Sequence, residues 1–138
     1  MATKKTARAL AALAATAALT TTVAATPAAA TAESGKDCGW YTCVSVDSTG
    51  LRVNSMRGYV TGTDPTKNFY GFYRFFIGSW KSDSSTGRWW TYSEDVVVIP
   101  PQTTWPNGTL ACMVPMQQNT FDDGFHELER PHCVTLRP

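Results

Sequence analysis

The sequence is short of most features that announce an enzyme or a nucleic-acid-binding module. It holds only two histidines, 17% charged residues and a formal net charge of +1. There is no Gly-x-Gly-x-x-Gly and no Walker loop, so no glycine-rich turn is available to cradle phosphate. There is no Gly-x-Ser-x-Gly elbow for a serine nucleophile and no Cys-x-x-Cys knuckle for zinc. Arg52, Arg57 and Arg74 are scattered rather than run together, which argues against a nucleic-acid partner. After residue 32 no uncharged apolar run approaches the roughly 20 residues a spanning helix needs, so the body of the chain is expected not to cross a membrane.

What is present begins with a leader. Lys4, Lys5 and Arg8 form a positive start, and residues 9–25 carry no charge and are mostly alanine with four threonines. That stretch is too short and too weakly apolar for a span, and Ala30-Thr31-Ala32 offers the small-x-small pattern a signal peptidase accepts. Residues 1–32 therefore read as a signal peptide that is removed, with cleavage after Ala30 as the neighbouring alternative. The leader resembles those of small proteins exported by GC-rich Gram-positive bacteria, which implies an origin and no activity. Removal would leave residues 33–138 with nine basic and eleven acidic residues, a net charge of −2. That length makes one domain, expected outside the cell.

All four cysteines, Cys38, Cys43, Cys112 and Cys133, lie in that domain. An even count in a small exported domain predicts two disulfides. The preferred pairing is local, Cys38 with Cys43 and Cys112 with Cys133, because Gly39 lets the first loop bend and the second is long enough to return. Pairing Cys38 with Cys133 and Cys43 with Cys112, or Cys38 with Cys112 and Cys43 with Cys133, stays open. No metal or other cofactor is expected.

Short runs of alternating or aromatic residues separated by Gly, Pro, Asn and Asp predict an all-β fold: a small disulfide-linked antiparallel sandwich or barrel of about seven or eight short strands. Residues 33–37 read as a frayed polar start. In 51–61 neither parity is cleanly apolar. In 69–77 six aromatics crowd nine positions, and Phe69, Tyr73, Phe75 and Ile77 oppose Tyr70, Phe72, Arg74 and Phe76, so both faces need apolar cover. Trp89 and Trp90 must point opposite ways, so one of them is expected inside. The run 96–99 reads as a buried strand, Asn107-Gly108 as a hairpin turn between 103–105 and 109–114, 115–123 as irregular, and 125–130 as a helical turn.

Two groups of residues are candidates for function. Trp80, Trp105, Tyr41 and Trp40 are the aromatics expected to bind an extracellular protein or glycan, since flat rings anchor both. Asp122, Asp123, His126 and Glu127 offer carboxylate or histidine chemistry, and they define the alternative of a small hydrolase. A cell-envelope structural role is the third reading. Structure discriminates among these. Coplanar exposed Trp80 and Trp105 would favour carbohydrate, and His126 held between two carboxylates in a cleft would favour catalysis. A rigid, disulfide-held loop with a single apolar tip would favour inhibition of a partner, because preordered loops lower the entropic cost of binding.

Overall fold

A computed structural model of the chain describes residues 33–85 and 87–138; the expected leader and its cleavage pattern lie outside them. Among the described residues there is no helix, and the strands are β1 (Glu33–Cys38), β2 (Thr42–Thr49), β3 (Arg52–Val60), β4 (Asn68–Ile77), β5 (Trp80–Asp83), β6 (Arg88–Thr91), β7 (Asp95–Val98), β8 (Leu110–Gln118), β9 (Phe125–Glu127) and β10 (His132–Thr135). They form two antiparallel sheets. The first runs β1-β2-β3-β7; the second runs β10-β8-β4-β5, with β6 also on β4 and β9 also on β8. Both sheets keep open edges, so the architecture is a sandwich and not a barrel.

The core is made where the two inner faces meet. Val44, Val46, Val53, Met56 and Val60 come from the first sheet, and Phe69, Tyr73, Phe75, Ile77, Trp90, Ala111 and Met113 from the second. Gly58 on β3 makes room for this: a Cβ there would sit 3.1 Å from the Phe75 ring and 3.3 Å from that of Tyr73. The outward parity of β4 is covered as its composition demands. Phe125 packs on Phe72 with ring centroids 4.9 Å apart, Trp89 edges onto Tyr70, and the Arg74 guanidinium lies over Phe72 while making two bonds to Asp83. Trp90 is the inward tryptophan, 2% exposed, and its indole N–H donates to the Gly71 carbonyl.

Several elements differ from what the residues suggest locally. Residues 33–37 belong to β1, because its backbone pairs along β2 and the chain returns at once. The mixed pattern of β3 has a single cause: the β2–β3 register shifts between Asp47 and Ser48, so Ser48 faces Val53 and Asp47 faces Ser55. A bulge changes the side-chain parity, and Val53 and Met56 thereby reach the same core. The valine-rich β7 is an edge strand with Val96 and Val98 in contact with the core and Ile99, just beyond it, 72% exposed. A continuous β-branched run does not distinguish burial on both faces from burial on one. The Asn107-Gly108 turn forms, with Gly108 at φ 84° and Thr109 N–H on the Pro106 carbonyl. It does not close a hairpin, since Thr104 bridges Arg52 in the first sheet's territory while β8 joins the second. Residues 115–118 continue β8, and 125–127 extend along it as β9 rather than coiling. Pro115 is tolerated in mid-strand because its carbonyl faces the β9 side, taking Leu128 N–H, so the missing N–H falls away from β4.

The disulfides are Cys38–Cys43 and Cys112–Cys133, the local pairing. Each joins directly paired residues on neighbouring strands of one sheet. Non-reducing peptide mapping is expected to return these two linkages and no free thiol; a peptide joining Cys38 to Cys133 would contradict this topology. Gly71 marks the tightest strand approach, where a Cβ would lie 1.7 Å from the Met116 carbonyl oxygen. Gly71→Ala is therefore expected to lose about 3 kcal/mol in urea unfolding, as overpacking against backbone does. Gly62→Ala, at φ 70° with nothing within 4 Å, should lose only about 1 kcal/mol.

Candidate functional site

Strand registers gather one set of loops at a single end of the sandwich. Thr42 pairs with Val60, Tyr59 with Asp95, Asn68 with Thr91, and Gly71 with Gln117. The 39–41 hairpin, the 61–67 loop, the 92–94 turn and the 119–124 loop therefore project the same way. The exposed large apolar residues at this end are Trp40, Tyr92 and Phe121.

The 119–124 loop lies inside the segment closed by Cys112–Cys133 and is cross-braced. Asn119 N–H donates to the Gly124 carbonyl at 2.8 Å. One Asp122 carboxylate oxygen accepts both the Asn119 amide and the Gly124 N–H at 2.7 Å. His126 Nδ1 meets the Asn119 side-chain oxygen at 2.6 Å. These bonds, the Asn119 amide first and the Gly124 N–H second, hold the Asp122 carboxyl below the ordinary carboxylate range. Phe121 stands at the tip, 99% exposed, with Asp122 and Asp123 directly after it. A lone aromatic among Asn, Thr, Asp and Gly in a turn-forming stretch is the sequence signal that marks it, and reading aromatics by their density passes over it.

The sequence candidates are placed as follows. Trp40 is 75% exposed at the hairpin tip, with Lys67 Nζ 4.7 Å from its ring centroid and bonded to its carbonyl. Tyr41 beside it is half-buried. Trp80 and Trp105 are partly buried and pack on the core, the Trp105 indole N–H having no partner. All four of the acidic set are exposed, and of them Asp122 and His126 both engage Asn119. His126 and Glu127 are consecutive on β9 and face opposite ways. A shallow depression of about 320 Å³ lies beside Asn107, Gly108, Thr135, Arg137 and Pro138, and none of the acidic set lines it. Among the described residues no group of three or more His, Cys, Asp or Glu is arranged to hold a metal.

Behind the hairpin lies a second polar cluster, partly withdrawn from solvent around the buried His132. The Glu129 carboxylate accepts Tyr41 N–H at 3.0 Å, Thr42 N–H at 2.8 Å and the Thr42 hydroxyl at 2.6 Å, and His132 Nε2 lies 2.7 Å away. His132 is fully buried. Its Nδ1 has no hydrogen-bond partner and faces Asp37 at 3.6 Å, and Asp37 in turn accepts Cys133 N–H. Burial pushes the Glu129 carboxyl upward, but the bonds from Thr42, Tyr41 and His132 outweigh it and leave it below its ordinary value. Burial above all, and then the nearby Glu129 charge, push the Tyr73 hydroxyl far above the usual phenol range. Gly39 is required here, since a Cβ would lie 2.4 Å from His132 Cε1 and 2.6 Å from Glu129 Oε2. Glu129 spends its bonds on the Tyr41 and Thr42 backbone, the Thr42 hydroxyl and His132, and the geometry is that of a brace.

No protein-family model, curated protein or solved structure matches the chain.

Because the folded Glu129 carboxyl titrates below its unfolded value, its stabilisation is fully present above about pH 4.5 and is lost as pH falls through the folded value. Glu129→Gln is expected to lower stability at neutral pH by about 2–3 kcal/mol, the scale of hydrogen bonds to a charged group. It should also flatten part of the acid limb of a stability-versus-pH curve measured by urea unfolding. An unchanged acid limb would contradict the assignment.

Proposed function

We propose that the chain is an exported protein that works by binding, docking Phe121 into an apolar pocket on an extracellular protein partner. The observation that carries this is the exposure of Phe121 at the tip of a loop whose backbone is already closed by Asn119, Asp122 and Gly124. An aromatic anchor that keeps its bound geometry in the free state avoids the ordering cost of association. A convex tip bearing one ring fits a concave protein pocket better than it fits a sugar face, for which rings form a platform. Asp122 and Asp123 next to the tip favour a pocket rimmed by basic residues. Trp40 and Tyr92 at the same end would add contact area. Export is supported by the two disulfides, which persist in oxidising compartments. The described residues contain no helix long and apolar enough to cross a membrane.

A glycan reading has one observation of its own. Trp89 is 60% exposed on the outer face of the second sheet, propped edge-on by Tyr70 at 5.7 Å between centroids. A sugar ring stacked there would be lost with Trp89→Ala and kept with Phe121→Ala.

The test is parallel capture from the extracellular fraction of the producing culture on immobilised wild-type and Phe121→Ala protein, alongside a glycan array. Proteins retained by wild type should fall by about 30-fold on Phe121→Ala, the loss expected of an interface anchor. Equal retention by both proteins, or glycan binding that survives Phe121→Ala, would overturn the protein-docking reading.

A further inference from the structure

We propose that the chain assembles head to tail with copies of itself, the Phe121 tip of one copy seated in the depression beside Arg137 of the next. The inference rests on the reading of Phe121 as a docking ring and names a second copy as one of the proteins it takes.

The two surfaces lie at opposite ends of one strand. β8 runs from Leu110, paired with Thr135, to Gln118, paired with Phe125. Its nine residues separate those ends by roughly 27 Å, so the tip cannot reach the depression of its own molecule. At one end Phe121 is 99% exposed and is followed by Asp122 and Asp123, neither of which has a cation partner among the described residues. At the other end the depression of about 320 Å³ is lined by Asn107, Gly108, Thr135, Arg137 and Pro138. A cavity of roughly 150 Å³ in a protein interior already admits benzene, so a phenyl ring has room.

The depression is formed in advance. Gly108 N–H donates to the Leu136 carbonyl at 2.9 Å and Leu136 N–H to the Thr109 carbonyl at 2.8 Å, which ties its two walls together. Gly108 leaves it open, with nothing within 4 Å of where a Cβ would stand. Pro138 gives it an apolar wall, and Leu110, directly opposite Thr135, is 48% exposed beside it. Arg137 is exposed at its edge and has no carboxylate partner among the described residues. The same holds of Arg52 and Lys81, whose strand positions place them at this end. A convex apolar tip flanked by two free carboxylates thus meets a concave, partly apolar site edged by a free guanidinium, complementary in shape and in charge.

Tip and depression are different patches, so the contact is heterologous. Each pair of copies keeps one tip and one depression free at its far ends, and the row extends as an open chain. One ring buries on the order of 200 Å², far below the roughly 1,000 Å² of a stable interface. The contact is therefore weak, and the assembly follows protein concentration.

The experiment is sedimentation equilibrium on the secreted protein, both disulfides intact, with no other protein present. The weight-average mass should climb about threefold between about 10 μM and about 1 mM, as successive contacts with a Kd of roughly 0.3 mM give. It should pass the mass of two copies without levelling. Phe121→Ala and Arg137→Glu, both at exposed positions, should each hold the mass of one copy. An equimolar mixture of the two variants should associate again and stop at two copies. There the Arg137→Glu copy supplies the tip and the Phe121→Ala copy the depression, and nothing is left to extend the pair. A flat wild-type profile, levelling at two copies, a wild-type rise in either variant alone, or no recovery in the mixture overturns the proposal. Capture from the culture scores proteins other than this chain and sedimentation scores the chain alone, so a flat profile here overturns self-assembly and leaves the docking reading to be decided there.

Discussion

Glu129 is the constraint on which the loop-bearing end of the molecule rests. Both disulfides join neighbours within one sheet, so neither holds the two sheets together. At the loop-bearing end that task falls to a polar array. Glu129 grips Tyr41 and Thr42 of the first sheet, His132 of the second abuts Glu129, and Asp37 of the first takes the backbone N–H of Cys133. A partly buried carboxylate with four groups around it is costly to disturb, because its loss strips several hydrogen bonds at once. The disulfides stiffen the two hairpins that this array then brings together.

Beyond the array, stability is a matter of aromatic volume. β4 contributes Phe69, Tyr73, Phe75 and Ile77 to the space between the sheets, and glycine at 58 lets those rings reach the facing strand. The outer face of β4 would be an exposed apolar stripe without Phe125 and Trp89 beside it. β9 is thus a short strand with two duties: it brings Phe125 onto Phe72, and it anchors one end of the 119–124 loop.

How much of this the sequence discloses depends on how local the cause is. The two faces of β4 and the opposed tryptophans at 89 and 90 follow from alternation and are visible in the residues, whereas the local cysteine pairing is only the preferred one of three until the strands are placed. The bulge at Asp47/Ser48 is a property of two strands together, so neither parity of β3 alone reveals it. β1 and β9 have weak propensity and exist because a paired neighbour supplies their backbone partners. The Asn-Gly turn is correct as a turn, yet which strands flank it is decided by sheet assignment, a long-range matter. The same division runs through the site. Trp80 and Trp105, placed beside loops, read as the tryptophans to be exposed, yet they turn back onto the core, and it is Trp40 that is 75% exposed. Phe121 is an isolated ring in a polar stretch, and only the braces around it give that isolation a meaning.

The central claim is that this small sandwich holds an apolar tip in a fixed pose before any partner arrives. Backbone ¹⁵N relaxation of residues 119–124 in the free protein tests it most directly. Order parameters near 0.85, matching the strands of the sandwich, are the result expected of a loop closed by its own hydrogen bonds. Values below about 0.6 at Phe121 and Asp122 would describe a flexible loop, and the account of a preordered anchor would be wrong.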